Sequence, residues 1–182
     1  MSLLRFDQVT LRRGGRLLFE DLDFALGPGE ALQVTGPNGS GKSSLIRLAA
    51  GLLRPESGEV ERSPLALADD NLALDAELPL GRALRFWGGA IAPAMEALGI
   101  DHLAEVPVRL LSSGQTKRAA LARVVASGAH LWLLDEPLNA LDRDGSERLG
   151  RIISDHLRSG GAILAASHQL LPGDPARLEL GA

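Results

Sequence analysis

Between an apolar run, Ala31 to Thr35, and a stretch with helical spacing at Leu45, Ile46, Leu48 and Ala49, the chain places Gly36-Pro37-Asn38-Gly39-Ser40-Gly41-Lys42-Ser43. A strand that empties into a glycine-rich turn and continues as a helix is a unit of α/β architecture. Its chemistry follows from the spacing. Glycines let the backbone wrap closely so that its amides point at phosphate, with Ser44 beginning the helix behind them. Lys42 reaches the β- and γ-phosphates, and the Ser43 hydroxyl is a ligand for Mg²⁺. A glycine-rich surface turn with a chance lysine is the plain alternative, but it has no use for the flanking strand and helix.

The rest of the chain repeats that alternation. Leu3 to Leu11 and Leu17 to Leu26 read as short strands broken at Gly14-Gly15 and at Gly27-Pro28-Gly29, an antiparallel opening. Pro55 to Val60 reads as a turn and Pro64 to Ala68 as another short strand. Ala76 to Leu110 reads as mostly helical, interrupted by Gly88-Gly89, Pro93 and Gly99. His130 to Leu134 and Ala162 to Ala166 are too apolar for half-exposed strands and read as central and parallel. Leu149, Ile152, Ile153 and Leu157 give the helix between them.

Lys42, Asp135 with Glu136, and His168 all fall just past the C-terminal ends of these strands, where open α/β sheets bind their ligands. Asp135 would hold Mg²⁺ through its water shell while Glu136 polarises the attacking water; an acidic helix N-terminus would also account for the pair. A neutral His168 can hydrogen-bond the γ-phosphate or that water. His102, His130 and His156 read as surface residues.

Leu111 to Gln115, LSSGQ, opens a further helix. Ser112 and Gln115 have the spacing of a reciprocal capping box, and such a terminus also favours an anion. A chain of 182 residues with 45% hydrophobic content and net charge -4 reads as one domain with no basic footprint for nucleic acid. Without cysteine it has neither disulfides nor thiolate metal sites. Its first residues, MSLLRFDQVTLRR, carry early charges and no apolar leader core, and no window offers a bilayer span.

Taken in order, the phosphate loop, LSSGQ, LLDEP, NALD and the strand-end His168 resemble the ATP-binding subunit of ABC transporters over nearly the whole chain. The resemblance implies a P-loop NTPase of α/β class. It would have a central, mostly parallel sheet, an N-terminal antiparallel β subdomain and a small helical subdomain. Residues 1–182 would form a single domain, with core at 1–68 and 118–182 and the helical, signature-bearing part at 69–117. It implies ATP and Mg²⁺, and a head-to-tail homodimer formed on ATP binding. Ser112, Ser113, Gly114, Gln115 and Asp142 would then serve the opposite subunit's ATP. Integral membrane subunits would be the other partners, at the cytoplasmic face of the inner membrane.

The Arg13 to Arg16 segment, LRFW at Leu84 to Trp87, and LALAR after the signature are similar to the haem-exporter ATPases of cytochrome c maturation. That likeness implies ATP hydrolysis coupled to haem export or delivery, with no haem bound by this chain. Three positions depart from the pattern. Arg13 stands where an aromatic usually stacks on adenine, Asn71 where a glutamine senses Mg²⁺ and the attacking water, and Ser113 where glycine is usual. A soluble ABC-type ATPase would call for a basic patch, a second nucleotide domain or a coiled-coil insertion, and none is present. A weakly hydrolysing scaffold would lack an acid after Asp135, whereas Glu136 is there.

Overall fold

The computed structural model describes residues 2–181. β1 (Leu4–Arg13) and β2 (Arg16–Leu26) form an antiparallel hairpin. Gly14 and Gly15, with φ 55° and 79°, supply the left-handed turn that a two-residue hairpin needs. The expected turn at Pro55–Val60 is instead the approach to a third strand, β4 (Ser57–Arg62), which pairs with the other side of β1. Its sequence, SGEVER, is nearly all exposed, so apolar alternation never marks it. Backbone pairing to β1 makes the strand, and Gly58 fits at a register shift where any Cβ would strike the Asp7 and Gln8 carbonyls.

The second sheet is β3 (Ala31–Thr35), β5 (Leu65–Ala68), β6 (Leu131–Asp135), β7 (Ala162–Ala166) and β8 (Ala176–Glu179). Their spatial order is β5-β6-β7-β3-β8, and every pairing is parallel. β8 was not anticipated; ARLE is short, mostly exposed and held at the edge by β3. The central strands are buried on both faces. Leu131 and Leu133 of β6 and Leu164 of β7 turn toward α1 (Lys42–Ala49) and the antiparallel sheet, while Trp132, Leu134 and Ile163 turn toward the helical side.

That side comprises α2 (Leu80–Arg85), α3 (Ile91–Ala97), α4 (Ser113–Ala126) and α5 (Arg143–Arg158). Between Ala76 and Leu110 the helices are shorter than expected. Gly88, Gly89 and Gly99 at positive φ cut them, and only single 3-10 turns at Asp101–Leu103 and Val108–Leu110 follow.

Candidate active site

Strands β6, β7 and β3 lie side by side, and past their C-terminal ends come Asp135-Glu136, His168 and the Gly36–Ser43 loop. In the loop Gly36, Gly39 and Gly41 have φ 137°, 80° and 106°. A Cβ on Gly36 would run into the Leu180 carbonyl, and one on Gly41 would press on Leu18 at 3.2 Å. Only glycine permits this path. No side chain caps α1, which leaves its first-turn amides to an outside acceptor. Lys42 is 7% exposed, and its Nζ donates to Gly36 O at 2.9 Å and Pro37 O at 3.0 Å, holding the charge at the centre of the loop. Pro37, Asn38 and Gly39 form the exposed rim, and Ser40 is buried beneath. Arg13 reaches the same place: its Nη1 donates to the buried Ser44 Oγ at 3.3 Å.

Asp135 ends β6 and is 4% exposed, and its Oδ1 has no hydrogen-bond partner. Burial pushes its carboxyl above the usual carboxylate range, against the pull of the Ser43 hydroxyl. An unpaired buried carboxylate oxygen beside a hydroxyl is the kind of donor set a hard divalent cation takes when phosphate oxygens and water complete its shell. Among the described residues no group of three or more His, Cys, Asp or Glu side chains is placed to hold a metal unaided.

Glu136 adopts φ 47°, an uncommon backbone for a non-glycine residue that costs on the order of 1–3 kcal/mol. Its amide donates to Ala166 O at 2.8 Å, which pins it to the end of β7. The carboxylate then faces His168: His168 Nε2 lies 3.5 Å from Glu136 Oε1, and the His168 amide donates to Oε2 at 3.4 Å. Lys42, Ser43, Glu136, His168 and Arg13 line one cleft of about 600 Å³, together with Leu18 and Asn139, which sequence reasoning had not assigned to it.

The signature residues form a second cleft, of about 400 Å³, which shares no lining residue with the first. Ser112 Oγ accepts from Gln115 N at 3.3 Å and Gln115 Oε1 accepts from Ser112 N at 2.9 Å, the full reciprocal cap of α4. Ser113 is the exposed first residue of that helix. Gly114 needs its missing side chain, because a Cβ would stand 2.8 Å from Ala140 O. Asp142 caps α5 by accepting from Gly145 N at 2.8 Å and pairs with Arg118 of α4. Arg118 also donates to Asp144 and to Leu98 O, both at 3.0 Å, so one largely buried guanidinium joins α4, α5 and the end of α3.

Asn71 is not brought into the first cleft. It is exposed, its Oδ1 accepts from Ala73 N at 3.2 Å, and its amide donates to Asp69 Oδ1 at 3.1 Å. A residue that sequence reasoning missed is Lys117, whose Nζ donates to Asp135 O at 3.2 Å. Burial lowers its pKa, against the attraction of Asp70, Asp135, Glu136 and Asp69. A lysine on the half-buried face of the signature helix was the available signal.

Residues 19–139, from β2 through the phosphate loop and signature to the acid pair, match the ABC transporter family. The chain belongs to that family. Among relatives, the cytochrome c biogenesis ATP-binding export protein CcmA of Sphingopyxis alaskensis is 55% identical over 91% of this chain and 90% of its own. The protein of the same description from Novosphingobium aromaticivorans is 56% identical over 90% and 87%. Solved structures share the fold. The ATP-binding subunit of an ABC transporter superposes with TM-score 0.88 over all of this chain and 89% of that one, at 20% identity. The ADP conformation of MJ1267, an ATP-binding cassette, gives 0.76 over 93% and 82%, also at 20% identity. The chain is therefore an ABC ATPase, the ATP-binding and ATP-hydrolysing subunit of a transporter whose other subunits lie in the membrane. Among its described residues no helix is long and apolar enough to cross a bilayer.

Proposed function

We propose that this ABC ATPase energises haem export or delivery in cytochrome c biogenesis, working at the cytoplasmic face of the inner membrane. The observation that carries this reading is 55% identity to a cytochrome c biogenesis export ATPase across nine-tenths of both chains. In it, the amides of Gly36 to Ser44 and the Lys42 ammonium hold the ATP phosphates, and Arg13 lies over the nucleotide. Ser43 and Asp135 hold Mg²⁺, which the unpaired Asp135 Oδ1 fits. When bound, the ion supplies charge neutralisation on the β- and γ-phosphates. Glu136 orients and polarises the attacking water, and His168, 3.5 Å away, steadies the γ-phosphate side of the same wall.

Two copies facing head to tail on ATP would complete each site, with Ser112, Ser113, Gly114, Gln115 and Asp142 supplied from the opposite subunit. Residues 69–117 would act as the helical subdomain, although α4 continues past that border into the core. Beside it, exposed Phe86 and Trp87, with Leu74 and Leu78, offer an apolar seat for a membrane subunit. Haem itself would stay with other components.

Deletion and complementation test the reading. A host lacking this chain should lose covalently haem-loaded cytochrome c, regain it with the wild-type gene and fail to regain it with Lys42→Ala. Normal cytochrome c in the deletion strain contradicts a role in its biogenesis.

A further inference from the structure

Gln33 stands in the middle of β3, the strand that runs into the phosphate loop, and is 1% exposed. A carboxamide buried so deeply must find all its partners inside the protein. It finds them in one short segment. Its Nε2 donates to Ser167 O at 3.2 Å and to Gln169 O at 2.8 Å, and its Oε1 accepts from Leu171 N at 3.1 Å. Two carbonyls require the NH₂ and one amide requires the oxygen, so a single orientation of the carboxamide satisfies all three.

The two carbonyls it grips flank His168. Around them the segment closes on itself: Ser167 Oγ donates to Gln169 O at 2.8 Å and accepts from Gln169 N at 3.1 Å. Otherwise the loop is tied down by Ser167 N to Val34 O at 3.3 Å and by the long His168 N to Glu136 Oε2 contact. The half-exposed imidazole thus depends on its backbone for its direction.

We propose that Gln33 is a positioning residue for hydrolysis: it clamps residues 167–171 and so aims His168 at Glu136 and the γ-phosphate. One strand then sets both halves of the cleft, carrying the phosphate loop at its end and the histidine clamp at its middle. The inference rests on the role given to His168 above.

Steady-state ATPase of four full-length proteins, wild type, Gln33→Met, His168→Ala and the double variant, tests it. Methionine keeps the length and apolar packing and removes the three hydrogen bonds. Gln33→Met should lower kcat about tenfold with KM for ATP within about twofold, since a misplaced catalytic group costs rate rather than affinity. His168→Ala should fall at least as far, and the double variant should match it within about twofold. Wild-type kcat in Gln33→Met, or the same further loss in the His168→Ala background, overturns the clamp. Wild-type turnover in His168→Ala overturns the histidine reading instead, and the clamp's route with it. Should Gln33→Met not fold, Gln33→Glu serves. Its carboxyl still accepts from Leu171 N but donates only when protonated, so its kcat relative to wild type should fall as pH rises. A ratio flat with pH counts against the proposal.

Discussion

Two helices of this molecule begin at glycine-flanked, hydroxyl-bearing termini, and they are finished in opposite ways. At α1 no side chain caps the first turn, the preceding glycines hold left-handed backbone, and a buried lysine fills the loop. At α4 Ser112 and Gln115 cap each other, the terminus is exposed, and the cation that shares its cleft, Arg118, is spent on Asp142 and Asp144. On the proposed reading the first terminus is a phosphate site in its own right. The second has Ser112 N and Gln115 N taken up by its own cap and keeps the Ser113 and Gly114 amides and the Ser112 hydroxyl proton to offer. Without a glycine-rich loop and buried lysine of its own, it suits closing over a phosphate held elsewhere. That asymmetry fits the proposed division of the site between two subunits.

The largest expected effect comes from Glu136. Its carboxylate sits on strained backbone at the cleft wall, so on the proposed reading Glu136→Gln removes the water-orienting charge and leaves the phosphate cradle intact. Turnover should fall about a hundredfold or more, and an ATP-bound dimer should accumulate. Light scattering with ATP and Mg²⁺ reads the mass. A variant that stays monomeric at high concentration breaks the comparison, because the α4 terminus would then have no phosphate to cover.

How far all this could be read from the sequence depended on burial. β3 and β7 fall where their apolar runs place them, and β6 one residue later, because all three are covered on two faces, and the phosphate loop, Asp135 with Glu136, and His168 follow from where those strands end. β4 and β8 were invisible because they are polar edge strands made by backbone pairing with β1 and β3. Gln33 was hidden differently: one polar letter in ALQVT, whose partners lie 134 to 138 residues away, beyond any local pattern.

A smaller effect concerns Asn71, whose carboxamide is tied to Ala73 N in a turn outside the cleft. Held there, it should leave the isolated subunit slow. The longer side chain of Asn71→Gln should reach the cleft and raise the partner-free ATPase rate several-fold, about 1 kcal/mol, while lowering stimulation by the membrane subunit. Equal rates for wild type, Asn71→Gln and Asn71→Ala, with and without that partner, would restrict Asn71 to its turn.

The divided site is tested most directly by mixing two disabled proteins. Lys42→Ala spoils the α1 terminus and Ser112→Arg blocks the α4 terminus. In a head-to-tail mixed dimer one composite site combines both defects and the other has neither. Each protein alone should be nearly inactive, and ATPase activity should appear on mixing, peak near equal proportions and follow the fraction of mixed dimers. Ser112→Arg hydrolysing ATP like wild type by itself, or mixtures no more active than their components, would contradict a site shared between subunits.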